Sequence, residues 1–415
     1  MSEWKLKSLK DLSVSITSGL TPLKNNSEYW DNPVIPWLKT DQLGEKYIWD
    51  TNTKISEIAL EKTSLKLYPP KTLSIAMYGE GKTRGNISII MKPMATNQAC
   101  CNIIINDEKA DFEYVYYYMK TQYESLRGLS SGVRNNLNAN DIKNYEIRIP
   151  ESIVEQNNIS KVLSVLDQKI ALNNQIKEEL EAMAKTLYDY WFVQFDFPDE
   201  NGKPYKSSGG NMVYNDQLKR EIPEGWGGKQ LGEICNPTSG YPFASNTYVQ
   251  DGKFKIYTIK NVQDNGILPI TDNTLDTLPA NLPEKCILGP GDMLMSLTGN
   301  VGRVGIVFED NALLNQRVLK IESKYKAFVF QFLKDPRTRS LLENTATGTS
   351  QKNLSPKDVM DISIIFPGFN VLIEFEQISN EILLQIISNN QQNQELTQLR
   401  DWLLPMLMNG QVRVE

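Results

Sequence analysis

AMYGEGKTRG, Ala76 to Gly85, separates two possible folds. Its first eight letters satisfy the relaxed phosphate-loop pattern: Ala or Gly, four residues of any kind, then Gly81-Lys82-Thr83. In such a loop, backbone N–H groups at a helix start cradle a nucleotide, the Lys meets its phosphates and the Thr hydroxyl its magnesium. That reading needs a helix after Thr83, and Arg84-Gly85-Asn86-Ile87-Ser88 is a poor helix start. A strand (LSIAMY, 73–78), a glycine-rich hairpin turn and a second strand fit better. The turn then carries Lys82 and Arg84, within reach of a phosphate backbone or a base edge.

Some 220 positions on, the same context recurs without the Gly-Lys-Thr. MSLTGNVGRVG (Met295 to Gly305) keeps the glycines and offers Asn300 and Arg303 in the turn. Other pairs stand in the same order. Trp4-Lys-Leu-Lys-Ser-Leu returns as Trp226-Gly-Gly-Lys-Gln-Leu, and Thr17-Ser18-Gly19 as Thr238-Ser239-Gly240. IPWLKT (35–40) answers IYTIKN (256–261), with Lys39 opposite Lys260. Asn97-Gln98 answers Asn315-Gln316, and Asn136-Leu137 with Asp141 answers Asn353-Leu354 with Asp358. So many matches in order indicate a duplication.

Before two of these positions lie SSGVRNNLNAND (130–141) and ATGTSQKNLSPKD (346–358). Asn138 and Asp141, like Ser355, Pro356 and Asp358, suit the cap, first-turn and third positions of a short helix. A fixed exit lets the loops present Arg134, Asn135 and Asn136 in one copy and Ser350, Gln351, Lys352 and Asn353 in the other. Arg suits guanine, and Asn or Gln suits adenine, through paired hydrogen bonds in the major groove. Singly, each side chain reads equally well as an inert surface group. As a set with Lys39, Lys82, Arg84, Gln98, Lys260, Asn300, Arg303 and Gln316 they are candidates for DNA contact. Tyr114, Tyr116, Tyr117 and Tyr118 look like a stacking platform, but their counterparts Phe328, Phe330, Gln331 and Phe332 are mostly apolar on a helix, which favours core packing.

After each copy the hydrophobic period changes from two to heptad spacing. Val162, Leu166, Lys169, Asn173, Ile176, Leu180, Met183 and Leu187 advance by steps of four and three. So do Ile378, Ile382, Gln385, Asn389, Gln392, Leu396, Leu399 and Leu403. Each stripe is apolar at its ends and polar in the middle, with Asn173 equivalent to Asn389. Each helix packing only on its own globular unit is the simpler alternative. A segment of roughly 30 residues extends on the order of 45 Å, more than a small domain covers, so the two helices are expected to pair and act as a spacer. Between the halves, residues 196–225 read by composition as a linker.

The 415 residues exceed one compact core. The net charge of −6 argues against coating nucleic acid by bulk charge, though a local basic cleft or basic partner fits. There is no histidine, and the four cysteines show no metal spacing. The commonest general base and most zinc sites are thereby removed, and no cofactor or metal is expected. No apolar run reaches membrane length and no leader is legible, so a cytoplasmic location and no membrane partner are expected. Pro198-Asp199 lacks the downstream Glu-x-Lys of a nuclease.

LEAMAKTLYDYWFVQFDFP, GKPYKSSGG, REIPEGW and the terminal LRDWLLPMLMNGQVRV resemble the signature segments of type I restriction-modification specificity subunits. The resemblance covers the whole chain and implies a non-catalytic subunit reading a bipartite, asymmetric site on double-stranded DNA. It implies two target-recognition domains separated by helices that pair antiparallel and that bind two DNA methyltransferase subunits and, through them, restriction and motor subunits. The expected fold is mixed α/β (α+β). Its divisions are 1–150 for the first recognition domain, 151–195 for the central helix, 196–225 for the linker, 226–367 for the second domain and 368–415 for the last helix. The expected helix-pairing residues are Leu166, Asn173, Ile176, Leu180, Leu187, Ile382, Asn389, Leu396 and Leu403. A protein-joining scaffold that never meets DNA, and a nucleotide-binding enzyme using Lys82, are the competing readings.

Overall fold

The computed structural model describes residues 3–79, 83–129, 136–348 and 351–414. The chain divides into two compact units, Met1–Lys169 with Leu396–Glu415, and Ile170–Glu395.

In the first unit the strand pairing expected of the hairpin is present on both sides of Gly81-Lys82, which lie outside the described residues. Thr72–Ala76 pairs antiparallel with Ile87–Ile90 and, on its other edge, with Cys100–Ile105. Ser13–Ser18 and Tyr47–Ile48 complete a five-stranded sheet. Successive side chains of a strand face opposite ways, and both faces are covered here. Leu73, Ile75, Ile87, Ile89 and Cys101 join the core under the Phe112–Thr121 helix, while Ala76, Ile90 and Cys100 join a second cluster with Leu38, Tyr68 and Met94. Tyr114, Tyr116 and Tyr117 are buried in the first of these cores, as the packing interpretation expects. Ile35–Leu38 lies between Lys54–Ile55 and Ala95–Thr96, and Trp4–Ser8 pairs with Glu146–Pro150.

The second unit repeats this wiring. Met293–Ser296 pairs antiparallel with Val304–Ile306 and with Val318–Ser323, whose other edge takes Cys235–Ser239. Phe254–Tyr257 runs parallel to Ala312–Leu314, as Ile35–Leu38 does to Ala95–Thr96. Gly227–Gln230 pairs with Ser363–Phe366, the counterpart of the Trp4–Ser8 pairing. The duplication read from scattered residue pairs is therefore a duplication of strand topology.

Two long helices, Ile153–Tyr188 and Phe369–Met408, run through both units. In the second unit they are antiparallel. Asn173 Nδ2 donates to Gln392 Oε1 (2.6 Å) and Asn393 Oδ1 (3.0 Å), and the Tyr188 and Trp191 rings meet Phe375. In the first unit Arg400 donates to Asp167 Oδ1 (3.0 Å), and Val162 and Leu163 share a core with Leu403, Leu404 and Leu407.

The buried face is rotated from the simple heptad stripe. Leu166, Ile176, Leu180, Leu187, Ile382, Asn389, Leu396 and Leu403 are half-buried and Asn173 is buried, whereas Met183, Ile378 and Leu399 are exposed. Ile159, Leu163, Ala184, Leu372, Phe375, Leu383 and Ile387 are buried instead. Most of these belong to the unit cores, so each helix serves both its partner and a globular unit, and the apolar face is wider than a two-helix seam.

The 196–225 segment is not an extended tether. Met212–Asn215 and Arg220–Pro223 form a hairpin, and Phe195, Phe197, Ile222 and Trp226 are buried in the second unit's core. The Phe197 ring stacks on Tyr205 at 4.7 Å between centroids. The Gly, Ser and charged residues that suggest a linker occupy its turns.

Buried charges pin each sheet to the helices. In the first unit Lys46 Nζ donates to Tyr117 Oη (2.8 Å) and Ser164 Oγ (3.0 Å), with Glu113 at 3.4 Å and Asp167 at 3.9 Å. Burial pulls this ammonium below the ordinary lysine range, against the pull of the two carboxylates. In the second unit Glu309 takes Lys255 (2.7 Å), the Tyr257 hydroxyl and Gln394 (2.6 Å).

Candidate nucleic-acid interface

In each unit the loops singled out by the repeat are joined into one rim by backbone hydrogen bonds. In the second unit the Asn315 N–H donates to Tyr257 O (3.1 Å), at the end of the strand leading to Lys260. Asn315 Oδ1 accepts from the Arg317 N–H, forming the turn that displays Gln316. The Leu297 N–H, entering the Gly299–Gly302 turn, donates to Arg317 O (3.1 Å). Leu354 and Gly299 N–H groups then donate to Leu297 O (2.9 Å) and Lys352 O (3.0 Å), docking the pre-helix loop on the hairpin.

The first unit makes three of these four backbone links among the described residues. Asn97 N–H donates to Leu38 O (2.9 Å), Met77 N–H to Ala99 O (2.8 Å) and Leu137 N–H to Met77 O (3.1 Å). The loops leave through the anticipated caps: Asn138 Oδ1 accepts from Asn140 and Asp141 N–H groups, and Ser355 with Asp358 forms a reciprocal capping box at Pro356. Gly19 and Gly240 allow the rim to close. A Cβ on Gly19 would lie 2.2 Å from Thr96 O, and one on Gly240 2.0 Å from Asn315 O. Side chains are excluded there by backbone.

Gln98, Lys260, Asn300, Gln316, Gln351, Lys352 and Asn353 are exposed on these rims. Lys352 Nζ donates to Glu343 O (2.9 Å), bracing its loop on the preceding helix. Lys39 is half-buried with Asp41 at 3.7 Å, and Asn136 is half-buried beside Leu137. Arg84 is half-buried, and its carbonyl accepts from Arg127 (3.2 Å). Arg303 faces inward: it donates to Gln263 Oε1 (3.0 Å) and meets Asp264 Oδ2 at 2.9 Å, with its side chain 17% exposed. Burial raises the Asp264 carboxyl, but the Arg339 and Arg303 guanidinium groups outweigh it and hold the group below its ordinary range. Arg303 therefore buttresses the hairpin. Lys82, Arg134, Asn135 and Ser350 lie outside the described residues.

Comparison of conserved pairs passes over Arg317. It is exposed in the same turn as Gln316, its side chain meets no carboxylate at ion-pair distance among the described residues, and its repeat partner is Ala99. The signal is its place directly after Asn315-Gln316. Among the described residues no cluster of three or more Cys, Asp or Glu could hold a metal ion. Burial pushes the thiols of Cys100, Cys101 and Cys235 up to about 12, so they are not thiolates at neutral pH. No helix among the described residues is long and apolar enough to cross a membrane.

Known proteins share this arrangement. The profile of the type I restriction modification DNA specificity domain matches twice, at residues 1–182 and 223–398, once per repeat. The chain is 29% identical over 429 residues to the type I restriction enzyme MjaIX specificity subunit of Methanocaldococcus jannaschii, spanning 100% of this chain and 94% of that one. It is 25% identical to the HindI specificity subunit of Haemophilus influenzae over 68% of this chain and 72% of the other. The crystal structure of a type I restriction-modification S subunit from M. genitalium shares the fold, with a TM-score of 0.62 at 17% identity across 98% of this chain and 96% of that one. With two family matches falling on two units of one topology, each carrying the same loop rim, this chain belongs to the type I restriction modification DNA specificity family, and its task is recognition of a DNA target.

Proposed function

We propose that each unit reads one short half of an asymmetric bipartite site on double-stranded DNA, with the paired helices that run through both units setting the interval between the halves. The observation that carries this is the repeated rim: one backbone scaffold, used twice, displays different side chains at equivalent positions. Gln98-Ala99 in one copy faces Gln316-Arg317 in the other. A common frame with diverged side chains suits two different sequences, since major-groove discrimination resides in a few amide and guanidinium contacts.

The chain itself carries no chemistry in this reading. It acts in the cytoplasm and hands the site to two DNA methyltransferase subunits and, through them, to restriction and motor subunits. The long helices are suited to docking them. Leu172 and Met183, eleven residues and so about three turns apart on the central helix, lie on one face, and both are exposed, Met183 by 57%. Large apolar side chains exposed in register suggest a protein partner.

Binding of duplex DNA by the complex assembled with its methyltransferase tests the reading. Arg317→Ala is expected to weaken binding by about 1–3 kcal/mol if the guanidinium reads a base, and to relax specificity in one half-site only. A scaffold that never meets DNA predicts no change, and that result would refute the proposal.

A further inference from the structure

Away from the loop rim, the second unit holds a cavity of about 210 Å³ between the Arg220–Pro223 strand, the Lys326–Lys334 helix and the start of the Pro336–Thr345 helix. Phe192, Phe328 and Phe332 form its apolar walls, and Arg220, Arg337 and Thr338 bring the polar groups. Its charges do not balance. Asp335 is consumed by Arg337, its Oδ1 accepting from Nε (3.0 Å) and the backbone N–H (2.8 Å) and its Oδ2 from a terminal guanidinium nitrogen (2.6 Å). Arg220 meets no carboxylate among the described residues and rests on the Phe195 ring at 4.9 Å.

A half-buried guanidinium beside another, without a counter-ion of its own, is unfavourable unless an anion completes the site. Burial first, and then Arg337, pull Arg220 below the ordinary arginine range, but it stays cationic at neutral pH. Thr338 supplies a second, independent sign. Its side chain lines the cavity, the residue is only 7% exposed, and its hydroxyl makes no hydrogen bond among the described residues. The residue is almost wholly buried while its hydroxyl oxygen keeps access to solvent, so a ligand entering the cavity can take it as a partner. It also stands in the first turn of a ten-residue helix, where the helix dipole favours negative charge.

We propose that this cavity is a binding site for a small aromatic molecule bearing one oxyanionic group, its carboxylate or phosphate held by Arg220, Arg337 and the Thr338 hydroxyl and its ring against Phe192, Phe328 and Phe332. The site shares no residue with the DNA rim and does not depend on the bipartite reading.

Calorimetric titration of the full chain tests it, with benzoate and phenyl phosphate as probes, and with inorganic phosphate and benzyl alcohol as the anion and the ring alone. Saturable binding of both aryl acids at a single site is expected, with each half-probe weaker. Losing a charged hydrogen-bond partner should weaken binding at least about tenfold in Arg220→Gln. Thr338→Val, which keeps shape and helix, should weaken it several-fold and serves if Arg220→Gln fails to fold, as judged by circular dichroism. The proposal is overturned by absence of saturable binding, by unchanged affinity in a folded variant, or by inorganic phosphate binding as tightly as phenyl phosphate.

Discussion

Asp111 Oδ1 accepts from the Tyr114 N–H at 2.8 Å, so the Phe112–Thr121 helix is capped by its immediate neighbour. At the equivalent point of the second unit stands Tyr325, which caps nothing with its side chain. There the N–H groups of Ala327 (3.2 Å) and Phe328 (2.7 Å) donate to the two oxygens of Glu376, from the C-terminal long helix. The carboxylate has moved from loop to long helix between the two copies. It keeps the cap while tying the globular part to the helix beneath. Burial lifts Glu376 above the ordinary carboxylate range, against the two backbone donors. Glu376→Ala leaves both donors without that partner and is expected to cost about 1–2 kcal/mol, read as a lower urea midpoint with unchanged slope. Unaltered stability would mean that water replaces the carboxylate. Local caps such as Asn138 and Ser355 are legible in the sequence because donor and acceptor lie within three residues. Glu376 is not, because its partners lie 48 and 49 positions away.

At the scale of elements, the hairpin and turns were legible because glycine marks them and each occurs twice. Gly19 and Gly240 give the sharpest test, since backbone blocks a side chain at both. Alanine at either position should cost about 1–3 kcal/mol through overpacking. Gly19→Ala should disturb the Asn97-Gln98 turn, and Gly240→Ala the Asn315-Gln316 turn. Methylation by the assembled complex should therefore lose fidelity in a different half-site for each variant, and loss in the same half for both would contradict independent rims. The helices were legible as elements but not in phase. Met183 and Leu399 fit a heptad by spacing yet face outward, because Leu383 and Ile387 answer to a globular core as well as a partner helix. Spacing records only that something apolar recurs, not how many neighbours share the face. The 196–225 segment reads as a linker for a related reason: its turn formers outnumber its apolar residues, yet Phe197 and Ile222 are buried in the second unit's core.

At the scale of the molecule, duplication and helix pairing were readable because each leaves matches or periodicity over long stretches. The identity of base-contacting side chains was not, since the rim fixes the backbone and leaves its surface residues free to vary. Arg317 illustrates this: comparing copies hides it, and only the turn it occupies brings it forward. The central claim is that two similar units read two unlike halves of one gapped site. Single-molecule methylation mapping of a host carrying the cognate methyltransferase, with and without this chain, tests it most directly. One asymmetric motif with two short specified halves around an unspecified interval, present only with the chain, is the expected result. A contiguous or palindromic motif, or a methylation pattern indifferent to the chain, would contradict it.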